Sequence, residues 1–132
     1  MPKTIRQKIT FKRTPPLVLY DAYMNAKNHS ILTGSEAIIT KKEGSEFSAY
    51  DGYITGRNLQ LIKDRLIVQS WRASDWNEED IDSTLILLIQ PKGKIIQLIV
   101  THANVPDREY KNLSRGWHEH YWDHWIEQFE KE

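Results

Sequence analysis

A chain of 132 residues is long enough for one domain with its own core and too short for two. Its 18 basic and 18 acidic residues cancel, so no net field draws it to nucleic acid or to an anionic membrane. The absence of cysteine excludes disulfides, thiolate metal sites and a thiol nucleophile.

The opening MPKTIRQKITFKR has no apolar run, so neither a signal peptide nor a membrane anchor is expected there. No later stretch is apolar for long enough to span a bilayer, and cytoplasmic residence is the default. Ile5, Gln7, Ile9 and Phe11 alternate with polar residues as an opening strand does. Thr14 precedes two prolines and is suited to cap a helix carrying Leu17, Tyr20 and Met24 through about Asn25. A second short helix, Ala26 to Thr33, stops at Gly34.

From Glu36 the period becomes that of strands. Ala37 and Ile39 precede the turn-like KKEGSE, and Phe47 to Tyr50 forms the return strand. Asp51-Gly52 marks a bulge or turn, and Tyr53 to Asn58 continues extended. Leu59 to Lys63 reads as a connection to Asp64-Arg65. Further strands follow at Leu66 to Ala73, Ser83 to Gln90 and Lys94 to His102, the last two joined by Pro91-Lys92-Gly93. Between the first two of these lies SDWNEEDIDS, an acidic segment read as a solvated loop. Exposed there, Trp76 would be a partner-contact anchor.

The chain closes on GWHEHYWDHWIEQFEKE, Gly116 to Glu132. At about 100° per residue, Trp117, Tyr121, Trp125 and Phe129 climb one side of a helix, with His118 and Trp122 in the same arc. Glu119, Asp123, Glu127, Glu130 and Lys131 fall opposite. So broad an aromatic face needs a broad cover, and a curved sheet supplies one. Helices grouped around consecutive strands with short connections predict an α+β fold with an antiparallel meander.

Several residues are candidates to line a cavity between sheet and helix. His118 points into the middle of the aromatic arc, and His102 shares a face with Ile96, Leu98 and Val100. Either could present an imidazole, or could be satisfied internally. Gln69 and Trp71 share the inward face of their strand because Arg72 favours water. A buried glutamine needs partners, from the protein or from a ligand. Tyr50, Tyr53 and Tyr121 could add hydroxyls, and Trp122 an aromatic wall. His120 and His124 lie one helical turn apart, but His120 projects to the charged face and no third ligand is evident, so no metal is expected. No nucleophile elbow, phosphate-binding glycine loop or paired carboxylates occur, and no catalytic residue or cofactor is assigned.

The run from Asp21 to Arg72, with His29-Ser30, Thr33-Gly34, Phe47, Asp51-Gly52, Gly56, Ile67-Val68-Gln69 and Trp71-Arg72, and then VPDREYKNLSRGWHEHYW with Gly116-Trp117 and Tyr121-Trp122, resembles the C-terminal domain of the activator of the heat-shock protein 90 ATPase. The resemblance covers about Thr14 to Phe129. It implies a START-like helix-grip fold: a curved antiparallel sheet around a long C-terminal helix, two short helices after the first strand, and a cavity between them. It also implies a chaperone of the heat-shock protein 90 class as a partner. In eukaryotic members a separate N-terminal domain contributes to chaperone engagement, and a sequence of 132 residues is not expected to include it.

The leading expectation is a non-enzymatic domain, residues 1–132, that binds a small apolar molecule through Tyr53, Gln69, Trp71, His102, His118, Tyr121 and Trp122. The alternative is a protein-interaction role of the co-chaperone kind. An acid–base enzyme using His102 or His118 ranks third, because no second catalytic group is visible.

Overall fold

The computed structural model describes residues 1–131, so Glu132, which the expected final helix included, lies outside the described residues. Among those residues the chain forms strands β1 (Lys3–Phe11), β2 (Glu46–Ala49), β3 (Ile54–Ile62), β4 (Leu66–Ala73), β5 (Ser83–Lys92) and β6 (Ile95–Val105). They make one curved, open antiparallel sheet in the order β1-β6-β5-β4-β3-β2. Helices α1 (Pro16–Met24) and α2 (Ala26–Thr33) follow β1. After β6 a 3₁₀ turn (Asp107–Glu109) leads into α3 (Tyr110–Trp117), a π turn (His118–Trp122) and α4 (Asp123–Phe129). Backbone angles stay helical across both junctions, so these last three pieces are one continuous helix. The α+β helix-grip architecture is therefore as expected.

The strands follow the alternation in the sequence. In β4, Ile67, Gln69, Trp71 and Ala73 are buried while Leu66, Val68, Ser70 and Arg72 are half-exposed. In β5, Leu85, Leu87 and Ile89 point the same way, opposite their partners in β4 and β6. The C-terminal helix lies on this inner face, burying Trp117, Tyr121, Trp122 and Trp125. A tryptophan buries about 150–250 Å², worth roughly 4–6 kcal/mol as an upper bound. That exceeds the net value of about 1 kcal/mol for a hydrogen bond, so ring burial dominates the docking of the helix.

Several local expectations are corrected. Thr14 does not cap α1. The N-cap is Pro15, without a side-chain cap, and the buried Thr14 hydroxyl bonds the Glu130 carboxylate at 2.7 Å. Glu130 also accepts from the backbone N–H groups of Lys12 and Arg13 at 2.7 and 3.0 Å, tying the end of β1 to the end of α4. Leu17 is half-exposed, because α1 packs through Leu19, Tyr20, Ala22, Tyr23 and Met24 instead. Residues 37–39 contribute a single bridge, Ile38 to Ser48, rather than a strand. Leu59 to Ile62 is not a connection. A bulge near Leu59 lets β3 run on to Ile62. Strands β5 and β6 also extend beyond Gln90 and His102, and a bulge between Lys3 and Ile5 of β1, opposite His102 to Val105, accommodates the extra length of β6.

At Gly56 the neighbouring strand leaves no space for a side chain. A Cβ there would stand 1.8 Å from the Ser70 carbonyl oxygen and 2.6 Å from the Phe47 ring. Only glycine allows β2, β3 and β4 to pack at this point.

Candidate functional site

Three internal hydrogen-bond chains tie helices to the sheet, and they engage His102, Gln69 and Trp122, three of the residues expected to meet a ligand. His102, fully buried, accepts on Nδ1 from Trp117 Nε1–H at 3.1 Å. Its Nε2–H therefore donates to Ser83 Oγ at 2.7 Å, and Ser83 donates to the Trp71 carbonyl at 2.9 Å. Burial holds its pKa down at about 3, so the ring is neutral. Gln69 accepts from the Tyr23 hydroxyl at 2.9 Å and donates to Asn58 Oδ1 at 2.8 Å. Trp122 donates its Nε1–H to Gln7 Oε1 at 2.8 Å and stacks on Trp117 with centroids 5.5 Å apart. His102, Gln69 and Trp122 are thus satisfied within the protein and face no open space.

A further chain runs through His29. Its Nδ1–H donates to the Tyr23 carbonyl at 2.8 Å, which leaves Nε2 to accept from the Tyr121 hydroxyl, also at 2.8 Å. Burial lowers the pKa of His29 as well. Sequence reasoning did not select His29 as a site residue. The signal was the Asn25 cap, whose side chain accepts from Asn28 N–H and starts α2 so that His29 turns inward.

His118 is the clearest miss, because it is exposed to water. Four α-helical residues overshoot a full turn by about 40°. The wider π turn, in which Asp123 N–H bonds the His118 carbonyl, takes up that drift. Trp117, Tyr121 and Trp125 therefore remain on one narrow buried stripe, and His118 falls at its rim. Trp76 departs from expectation in the opposite direction. It is buried, packs on Trp71 at 5.6 Å between ring centroids, and lies 6.0 Å from the Arg72 guanidinium. Arg72 also donates to the Asp80 and Asn77 carbonyls, folding the acidic loop back onto the sheet.

An open cleft remains where the helix lifts away from the ends of β3 and β4. Its volume is about 690 Å³, and Tyr50, Ile54, Trp71, Leu113, Trp117 and Tyr121 form its walls. Asp51, Tyr53, Asp75, Glu109 and His120 stand around it. Of the residues expected to line a cavity, Tyr53, Trp71 and Tyr121 meet here. Gln69, His102, His118 and Trp122 do not. Tyr53 is 44% exposed and donates its hydroxyl to Asp75 Oδ1 at 2.8 Å. Tyr50 and Asp51 adopt φ of 52° and 57°, ahead of Gly52 at 90°, so three successive residues are left-handed. For a bulky tyrosine this is a strained conformation, and it turns the side chain to the cleft. The Tyr50 hydroxyl is buried without a hydrogen-bond partner among the described residues.

His120 meets the Tyr50 ring edge-on at 5.7 Å, and His124 lies in a separate depression between α1, α2 and α4. Among the described residues no group of three or more His, Asp or Glu is arranged to hold a metal. No helix there is long and apolar enough to cross a membrane.

A curved antiparallel sheet that grips a long C-terminal helix and leaves a cleft at one end defines a helix-grip domain. The family described as Activator of Hsp90 ATPase homolog 1-like protein matches residues 13–131, and the chain belongs to this family. It is 28% identical over 116 residues to the activator of 90 kDa heat shock protein ATPase homolog of Dictyostelium discoideum, covering 87% of this chain and 30% of that protein. With homolog 1 of Homo sapiens it shares 25% over 119 residues, covering 88% of this chain and 35% of that one. The chain thus spans about a third of the length of these relatives. A crystal structure of a heat-shock protein 90 activator from Plasmodium falciparum superposes with a TM-score of 0.79 at 31% identity, covering 94% of each chain.

Proposed function

We propose that this domain binds a small, largely apolar molecule in the cleft between the sheet and the C-terminal helix, without transforming it. The observation that carries this reading is the cleft of about 690 Å³ walled by aromatic rings. Its size falls within the usual range for ligand sites, and a few polar groups on an apolar wall are their usual chemistry. Binding is favoured over catalysis because both buried histidines, His29 and His102, have both ring nitrogens engaged internally. The test is titration of the ¹⁵N-labelled protein with small aromatic and alkyl compounds. Shifts confined to Tyr53, Trp71, Leu113 and Tyr121 support the reading. Compounds that bind only elsewhere, or not at all at millimolar concentration, refute it.

A second reading is contact with a chaperone of the heat-shock protein 90 class, in keeping with the family and with the names of its relatives. Residence in the cytoplasm accompanies it. The observation favouring it is the outer face of the sheet. There Leu66, Leu88 and Ile99 pair side by side, next to Val68 and Ile86, and all five are half-exposed. Association with the host's chaperone at tens of micromolar or tighter, weakened by Leu88→Lys at unchanged melting temperature, is the expected result. Undetectable binding, or binding indifferent to that substitution, removes the outer face as the docking surface.

A further inference from the structure

The cleft's rim carries one sign of charge. Asp51, Asp75 and Glu109 stand on it, and among the described residues no lysine or arginine lines it. The ion pairs of the described residues include neither Asp51 nor Asp75. Asp51 accepts from Glu36 N–H at 2.9 Å, and Asp75 from the Tyr53 hydroxyl. Glu109 lies 4.0 Å from Arg108 Nε, but that guanidinium turns its terminal nitrogens to Asp80. Among the described residues, His120 is the one other titratable side chain, besides the tyrosines, on the cleft.

The walls favour the same sign of guest. Trp71 and Trp117 stand 5.8 Å apart between centroids, Trp117 and Tyr121 4.9 Å, and Tyr50 and Tyr121 6.2 Å. Aromatic faces carry negative potential and attract cations, most strongly where water is excluded. Burial, then the neighbouring carboxylates Asp75 and Glu109, pushes the Tyr53 hydroxyl up to about 12, and burial does the same for Tyr50. Both therefore remain protonated, and neither adds a positive or negative charge of its own. A carboxylate or phosphate entering here would meet like charge at the rim.

Resting on the reading of the cleft as a ligand site, we propose that its occupant is an organic cation: a protonated or quaternary amine carried on an apolar body. The charged end sits at the rim with Asp75 and Glu109, and the apolar body lies against Trp71, Trp117 and Tyr121.

The experiment compares three probes of one shape: 4-phenylbutyltrimethylammonium, 4-phenylbutanol and 4-phenylbutanoate. Each is titrated against the whole protein, following the Trp71 and Trp117 indole signals, at low and at high salt. The cation is expected to bind at least tenfold tighter than the alcohol at low salt, with the carboxylate weakest and the gap narrowing as salt rises. The double variant Asp75→Asn, Glu109→Gln should bring the cation to the alcohol's affinity and leave the alcohol within about twofold. His120→Lys, at the edge of the cleft, should weaken the cation and tighten the carboxylate, and it serves if the double variant melts early. Equal affinity for cation and alcohol, or tighter binding of the carboxylate, overturns the charge assignment while the cleft stands as a site. Silence from all three probes removes the cleft as a site, and the cation with it.

Discussion

Lowering the pH should weaken this fold well above the range where carboxylates titrate. The perturbation is a shift from pH 7 to pH 5. An unfolded histidine titrates near 6.5, whereas His102 in its dry pocket does so at about 3. Between these values the unfolded chain binds a proton that the native chain refuses, so stability is full above about 6.5 and falls as pH drops toward 3. For His102 alone the loss from pH 7 to pH 5 is about 2 kcal/mol. His29, its pKa also lowered by burial, adds in the same direction. The carboxylates with depressed values act in a lower window. Asp80 is held down chiefly by its bond from Arg108. Glu130 is opposed by burial, but the bonds from Thr14, Lys12 and Arg13 prevail. The assay is urea unfolding at several pH values for the native chain and for His102→Gln, whose amide can still face Trp117 and Ser83. The native chain should lose about 2 kcal/mol more than the variant between pH 7 and pH 5. Parallel pH profiles for the two would refute the burial of a neutral His102.

Gln69→Leu strands the Tyr23 hydroxyl and Asn58 Oδ1 in the core, and should cost about 2–4 kcal/mol in chemical denaturation. Trp122→Phe should destabilise more than Trp125→Phe. Trp122 Nε1–H serves Gln7, whereas Trp125 Nε1–H is buried without a partner among the described residues. The ordering is read by thermal melts of the two variants side by side. Gly56→Ala forces a methyl against the Ser70 carbonyl, and should lower stability by several kcal/mol or abolish folding, as circular dichroism would show.

What could be read in the sequence tracks how local each physical cause is. Strands β4, β5 and β6 write their inner faces as simple alternation, and Gln69 and Trp71 point where Arg72 implied. The partners of Gln69 were not legible, because Tyr23 lies 46 residues away and Asn58 11. The aromatic stripe announces the gripped helix, but a π turn leaves no mark in a 3.6-residue period, and so the period sets His118 inside the aromatic arc. The acidic neighbours of Trp76 read as a solvated loop, in which an exposed Trp76 would be a contact anchor. In the fold Arg72 gathers those neighbours, and the indole packs on Trp71. Of the candidate site, the helix and strand walls were foreseen through Trp71 and Tyr121. Asp51-Gly52 reads in the sequence as a bulge or turn, but the left-handed backbone of Tyr50 is not legible there, since Asp51 pairs with the distant Glu36.

The most direct test follows the five indole N–H signals of the ¹⁵N-labelled protein during titration with 4-phenylbutyltrimethylammonium. Trp71 and Trp117 line the cleft, while Trp76, Trp122 and Trp125 do not. The account predicts saturable shifts at Trp71 and Trp117 with the other three nearly still. Shifts led by Trp76 or Trp125, or five unmoved signals at millimolar probe, would contradict it.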